Sequence, residues 1–186
     1  MNKIFPLPVK KNKFGERVAN ISVGKYYRQI CEEVLEAHAA SIEIQARDYN
    51  SLLDIADNEP TELVDVMACC ITRLNIIKCE NVVGVIDDQE KYYSEPADFY
   101  TDLAAAVMNS YHAAKTAINF EYMRNEGCGY CAIDLAEVEY VEKYRLGYII
   151  AMCIKRLAKL GYNESARQEI YQAVNEKNRK RGYLEE

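Results

Sequence analysis

The sequence predicts an all-α protein, a bundle of about five helices. Apolar residues recur every three or four positions through several long segments, which is the period of an amphipathic helix. Residues that start or stop helices, such as Ser22, Gly161 and Asn163, flank these segments. No internal repeat, low-complexity tract or linker divides the 186 residues, so we expect a single domain over residues 21–186, preceded by an arm over residues 1–20.

Composition narrows the class of function. A net charge of −6 argues against nonspecific nucleic-acid binding as the main role. No run approaches the ~18 apolar residues that span a bilayer, and Pro6 and Pro8 interrupt the place where a signal peptide has its apolar core. Seven cysteines, an odd number, fit a reducing compartment. We therefore expect a cytoplasmic protein that binds neither membranes nor nucleic acid.

The arm and the first helix come next in order. The arm has no clear periodicity; its lysines could reach substrate phosphates, and we interpret it as a solvated segment that packs over a neighbouring subunit. Ser22 suits the N-cap of the first helix. The apolar stripe expected for this helix comprises Tyr27, Ile30, Cys31, Val34, Leu35, His38 and Ile42. His38 is interpreted as a histidine at the edge of the core rather than a ligand.

The middle of the chain is less regular. Residues 46–60 are predicted to form a short helix or turn, and a second helix runs from about residue 61 to 79, with Pro60 near its first position. Residues 82–86 could form a short strand or a buried connector. A helix follows over residues 96–124, with Ile118 and Tyr122 on its apolar face. Region 80–135 matches no motif.

The last third contains a loop and two helices. Cys128 and Cys131 form a C-x-x-C that could be a redox pair or half of a zinc site, with loop packing as the default because no second pair exists at suitable spacing. Asp134 with Glu137 resembles a capping box that opens a helix to about residue 160. Asn163 caps a last helix, which ends around residues 179–182.

Acidic residues distinguish the first two helices. On a helix, Glu33 and Glu36 lie about 60° apart, and Glu32 projects into the same sector. Glu62 and Asp65 repeat this spacing on the second helix. On a solvated helix face, an acid usually has a Lys or Arg three or four residues away. Among these acids only Glu32 has such a neighbour, which is Arg28.

Clustered acids without counter-charges raise one another's pKa, and a divalent cation removes that cost. Oxygen-only ligands suit Mg²⁺ or Mn²⁺. Acid-x-x-acid alone is weak evidence in a chain with 29 acids. Glu139 and Glu142, for example, have Lys143 and Arg145 nearby, and we interpret that pair as an ordinary charge-laced surface.

The pattern E-E-x-x-E, followed by E-x-x-D in the next helical run, resembles the all-α nucleoside triphosphate pyrophosphohydrolases. This superfamily includes MazG, the dimeric dUTPases, the dCTP pyrophosphatases and phosphoribosyl-ATP pyrophosphatase. A K-N-x-x-R segment near the C-terminus, at residues 177–181, also resembles the segment that closes many of these chains. All three signals occur in the expected order.

The resemblance implies a MazG-like bundle that forms a homodimer or tetramer. It implies Mg²⁺-dependent, or Mn²⁺-dependent, attack of water on the α-phosphorus of a nucleoside triphosphate, which yields the monophosphate and pyrophosphate. By the same resemblance the metal ligands are Glu33, Glu36, Glu62 and Asp65. Glu32 is the catalytic candidate, which binds a second metal or orients or deprotonates the water. The phosphate-binding residues are Lys177, Asn178 and Arg181.

Other interpretations remain open at this point. The basic segment at residues 177–181 could be a solvated tail. The enzyme could be of the phosphoribosyl-ATP type, or the bundle could be a non-catalytic dimerisation or interaction module. Tyr26 or Tyr27 is the candidate aromatic for stacking on the nucleotide base. The sequence leaves the preferred base and sugar open.

Overall fold

The computed structural model describes residues 5–46, 59–92, 98–126 and 135–184. Within these residues it contains six α-helices, a short 3-10 helix and no strand, which confirms the all-α prediction, although about five helices were expected. The helices are α1 (Val23–Ala46), α2 (Glu59–Ile76), α3 (Val82–Tyr92), α4 (Phe99–Asn125), α5 (Leu135–Lys159) and α6 (Glu164–Lys180). In the same ranges, no helix has both the length and the apolar character needed to cross a bilayer.

Helix α2 is the centre of the fold. It packs against α1, α5 and α6, while α5 also contacts α3 and α4. Apolar side chains occupy nearly every face of α2, and a helix of that kind is buried on all sides. Four polar residues of α2 are therefore buried with it: Glu59, Glu62, Thr72 and Arg73. Buried polar groups of this kind require hydrogen-bonding partners.

A buried polar network supplies partners for Arg73. Its Nε donates to Oε1 of Glu142 on α5 at 2.8 Å, and the Tyr27 hydroxyl on α1 donates to the same oxygen at 2.9 Å. The Tyr27 hydroxyl also hydrogen-bonds Ser110 Oγ on α4 at 2.7 Å. The network thus joins one side chain from each of α1, α2, α4 and α5, and so fixes how these helices stand relative to one another.

The sequence-based interpretation of Glu142 was wrong. It is only 3% exposed and does not belong to a solvated surface. Its partner Arg73 lies 69 residues away in the chain, so an inspection of neighbours at three and four residues could not detect the pair.

The arm contacts its own chain. The amides of Lys10 and Lys11 donate to the carbonyl of Tyr183 at 2.7 and 3.2 Å, and the Val9 amide donates to Thr72 Oγ1 on α2 at 2.8 Å. Val9 and Val18 are both buried. The described part of the arm is therefore anchored to α2 and to the C-terminal end, rather than being the solvated segment that we expected.

The predicted caps are confirmed. Ser22 Oγ accepts from the Lys25 amide, Asn163 Oδ1 accepts from the Ala166 amide, and Gly161 ends α5 at a φ of +93°. Helix α2 ends three residues earlier than expected. Lys78 has a φ of +55°, and the Cys79 amide bonds back to the Leu74 carbonyl, which is a Schellman end.

Other expectations fail or lie outside the described residues. The strand alternative for residues 82–86 is wrong, because these residues begin α3. Leu35 and Ile42 on α1 and Ile118 and Tyr122 on α4 were expected to face inward but are more than two-fifths exposed. Residues 47–58, which include most of the predicted connection between α1 and α2, lie outside the described ranges. So do residues 127–134, with the C-x-x-C loop and Asp134.

Removing the arginine tests the buried network. Arg73→Met leaves the Glu142 carboxylate buried without its cation, so we expect the free energy of unfolding to fall by about 3–5 kcal/mol. The double variant Arg73→Met/Glu142→Gln removes the uncompensated charge and recovers part of this loss. Urea unfolding measures both.

Arg124→Met, in the last turn of α4 where the residue is exposed, is the control, and it changes stability by less than about 0.5 kcal/mol. Equal stability of Arg73→Met and Arg124→Met would contradict the proposed role of the network.

Candidate metal and phosphate site

Three carboxylates converge where α1 and α2 pack side by side. Glu62 and Asp65, spaced three residues apart, lie on one face of α2, and Glu33 faces them from α1. One oxygen from each carboxylate lies within 4.8 Å of the others. Buried Ile30 and Val34 hold this part of α1 in the core, so the approach of the acids follows from the helix packing.

The acids are held together at an electrostatic cost. Burial, and then the charges of Asp65, Glu36 and Glu62, raise the pKa of Glu33 to about 8. Glu62 is itself only 6% exposed. A cation bound between the three carboxylates would offset this repulsion and the loss of hydration. The donor set is oxygen only, which suits Mg²⁺ and Mn²⁺.

The end of α6 brings positive charge to the acids. Lys177 Nζ lies 2.5 Å from Asp65 Oδ2, and Asn178 is buried in the same place. Helix α6 ends with Gly182 at a φ of +71°, and the Tyr183 amide bonds back to the Asn178 carbonyl at 2.9 Å. This left-handed turn explains the glycine after the basic segment, because other residues adopt that conformation at a cost.

A cleft of about 150 Å³ contains the predicted site. Its lining includes Glu33, Glu36, Glu62, Asp65, Lys177, Asn178 and Arg181, so seven of the eight predicted site residues share one cavity. The basic segment at residues 177–181 is thus not simply a solvated tail. The two helices supply an acidic floor, and α6 supplies cations opposite it.

Other cleft residues were not singled out from the sequence as site residues. Lys11 and Lys13 reach the cleft from the arm, and Gln29 and Cys69 line it from α1 and α2. Gln29 lies four residues before Glu33, and Cys69 four residues after Asp65. Helical spacing from the acids therefore was a signal that could have identified both. The arm lysines carried only the general expectation that they reach phosphates.

Two predicted residues stand apart from the converging group. Glu36 lines the cleft but is exposed and is not one of the three acids within 4.8 Å. Glu32 lies outside the cleft, paired with Lys13 at 2.8 Å and with Arg28 at 3.3 Å. The hydrogen bond from Lys13, more than any other interaction, lowers the pKa of Glu32. The position of Glu32 does not support the predicted catalytic role, which stays a prediction.

The aromatic candidates for base stacking were wrong. Tyr26 and Tyr27 are each only 2% exposed. The Tyr26 hydroxyl donates to the Cys69 carbonyl at 2.7 Å, and Tyr27 belongs to the network around Glu142. Neither ring is accessible to a ligand. His38, which was expected at the edge of the core, is exposed, and its ring stacks on that of Tyr100 with the centroids 4.7 Å apart.

Comparison with known proteins adds no relative. No protein-family model, no curated protein and no solved structure matches this chain. The site is therefore interpreted from the chain's own residues: an acidic floor on α1 and α2, and lysine and arginine side chains from α6 and the arm around it.

Proposed function

We propose that this protein is a Mg²⁺-dependent nucleoside triphosphate pyrophosphohydrolase with a MazG-like fold. The proposal rests on one observation: three carboxylates from two helices lie within 4.8 Å of one another, in a cleft that also contains Lys177 and Arg181. Acidic ligands for a cation next to basic groups are what a metal–polyphosphate complex requires. A simple cation site would not need the basic side.

Glu33, Glu62 and Asp65 would hold the cation, and Glu36 would contact it through water or bind a second cation at the edge of the cleft. Three or four carboxylates leave positions open for substrate, because Mg²⁺ usually keeps several exchangeable ligands. When bound, the cation neutralises charge that develops on the phosphate oxygens and lowers the pKa of water. Mn²⁺ would serve in the same site.

The basic side of the cleft would bind and orient the triphosphate. Arg181 offers a planar fork for two phosphate oxygens, whereas Lys177 offers a point charge. The Asn178 side chain, which is buried, would add a neutral hydrogen bond. With the phosphates held between these groups and the acidic floor, the triphosphate is oriented for attack of water at the α-phosphorus.

We also propose that the protein acts as a homo-oligomer, at least a dimer. Large apolar side chains remain exposed on α4 and α5 of the single chain: Met108, Ile118, Tyr122, Tyr140 and Tyr144. A second copy would cover such side chains. The same exposed residues are the observation that favours the other candidate function, a non-catalytic interaction module.

Loss of a metal ligand tests the enzyme proposal. The wild-type protein, incubated with Mg²⁺ and a panel of nucleoside triphosphates, releases pyrophosphate, and chelation stops the release. Asp65→Asn and Glu33→Gln lower the rate by at least about a hundredfold. Even mutation of residues that only hydrogen-bond metal ligands typically lowers metal affinity or activity by about 10–100-fold. Product analysis by chromatography distinguishes pyrophosphate plus monophosphate from phosphate plus diphosphate.

Glu169→Gln, an exposed acid on α6 away from the cleft, is the matched control and retains full activity. The module interpretation predicts no turnover and no thermal stabilisation by Mg²⁺ plus nucleotide. The enzyme interpretation predicts that Mg²⁺ plus nucleotide stabilises the folded protein by about 2.7 kcal/mol at a ligand concentration a hundred times the Kd. A substrate panel that includes phosphoribosyl-ATP distinguishes an enzyme of the phosphoribosyl-ATP type from a pyrophosphohydrolase that acts on the nucleotide pool.

Lys177 gives a second, more selective prediction. Because its ammonium pairs with Asp65, Lys177→Met removes a competitor for that carboxylate and is expected to leave Mg²⁺ affinity unchanged or raised. The same change removes a phosphate contact, so the KM for the triphosphate rises about tenfold. Calorimetry with Mg²⁺ alone and steady-state kinetics measure the two effects. Weaker Mg²⁺ binding together with an unchanged KM would contradict the assigned role.

A further inference from the structure

A second hollow adjoins the metal and phosphate cleft. Its volume is about 380 Å³, which is within the range of small-molecule pockets. The two cavities share Lys13 and Gln29 in their walls. The shared residues therefore place the second cavity beside the first.

A hydrogen-bonded turn of the arm places Phe14 in the lining of this hollow. Asn12, only 3% exposed, accepts from the amides of Phe14 and Glu16 through Oδ1, each at 3.0 Å. Its Nδ2 donates to Glu16 Oε2 at 2.8 Å, and Gly15 completes the turn at a φ of +75°. The turn leaves Phe14 71% exposed, with Lys13 Nζ 5.8 Å from the centroid of its ring.

The charged side chains of the hollow form ion pairs with one another, three cations with two carboxylates. Lys25 pairs with Glu16 at 2.6 Å, and Lys13 and Arg28 both pair with Glu32. Each of these cations therefore already has a carboxylate partner. The exposed aromatic ring beside them favours a flat π-system.

We propose that this hollow binds the base of the nucleotide, which stacks on Phe14 while the phosphates occupy the adjoining cleft. This assignment rests on the proposed function, since it requires a nucleotide in the first cavity. Lys13 stands at the boundary, where its ion pair with Glu32 holds the arm against α1. Because every base has a π-face, stacking here selects for a base in general and only weakly among bases.

The experiment compares a ligand that contains a base with one that lacks it. Binding of inorganic triphosphate, and of a nucleoside triphosphate analogue with a non-hydrolysable α,β-bridge, is measured by calorimetry with Mg²⁺ present. Phe14→Ala weakens the nucleotide analogue about tenfold, equivalent to about 1.4 kcal/mol, and leaves inorganic triphosphate within about twofold. Phe14→Tyr retains a ring and keeps wild-type affinity for both ligands.

Leu7→Ala is the control, because this leucine of the same arm is 43% exposed and lines neither cavity. Two results overturn the base site while the proposed function stands: unchanged nucleotide affinity in Phe14→Ala, or an equal loss for both ligands. If the wild-type protein binds neither ligand, the proposed function fails and the base site fails with it.

Discussion

The approach of α1 to the buried helix α2 is the constraint on which the site depends. Apolar side chains hold these helices together, and each one buried contributes roughly 1.5–3 kcal/mol. Leu63 and Val66 flank the acids on α2 and are completely buried. Packing of this kind is strong enough to keep Glu33 beside Glu62 and Asp65, although the charges oppose it. The fold therefore carries an electrostatic cost at one place, where a bound cation would relieve it.

A second constraint brings the cations to that place. The turn at Gly182 directs the chain so that the Tyr183 carbonyl accepts from the amides of Lys10 and Lys11. The two ends of the described chain thus meet beside the acidic floor. Lys177 reaches the floor from one end and Lys13 from the other. A cleft assembled from both ends and from two central helices is complete only after the whole domain has folded.

Features that depend on local sequence could be predicted. The caps at Ser22 and Asn163 involve partners three residues away, and the convergence of Glu62 and Asp65 follows from helical spacing alone. Features that depend on distant partners could not. Glu142 has a suitable local neighbour in Arg145, yet it is buried against Arg73. Tyr26 and Tyr27 precede the acids by one to two turns, but tertiary packing turns both rings into the core.

The central claim is that Glu33, Glu62 and Asp65 share one divalent cation. Anomalous diffraction from crystals grown with Mn²⁺ tests this claim most directly, because it locates the ion without reference to activity. We expect a single strong peak between α1 and α2, within about 2.2 Å of an oxygen from each of the three carboxylates. A peak elsewhere, or no peak between the two helices at saturating Mn²⁺, would contradict it.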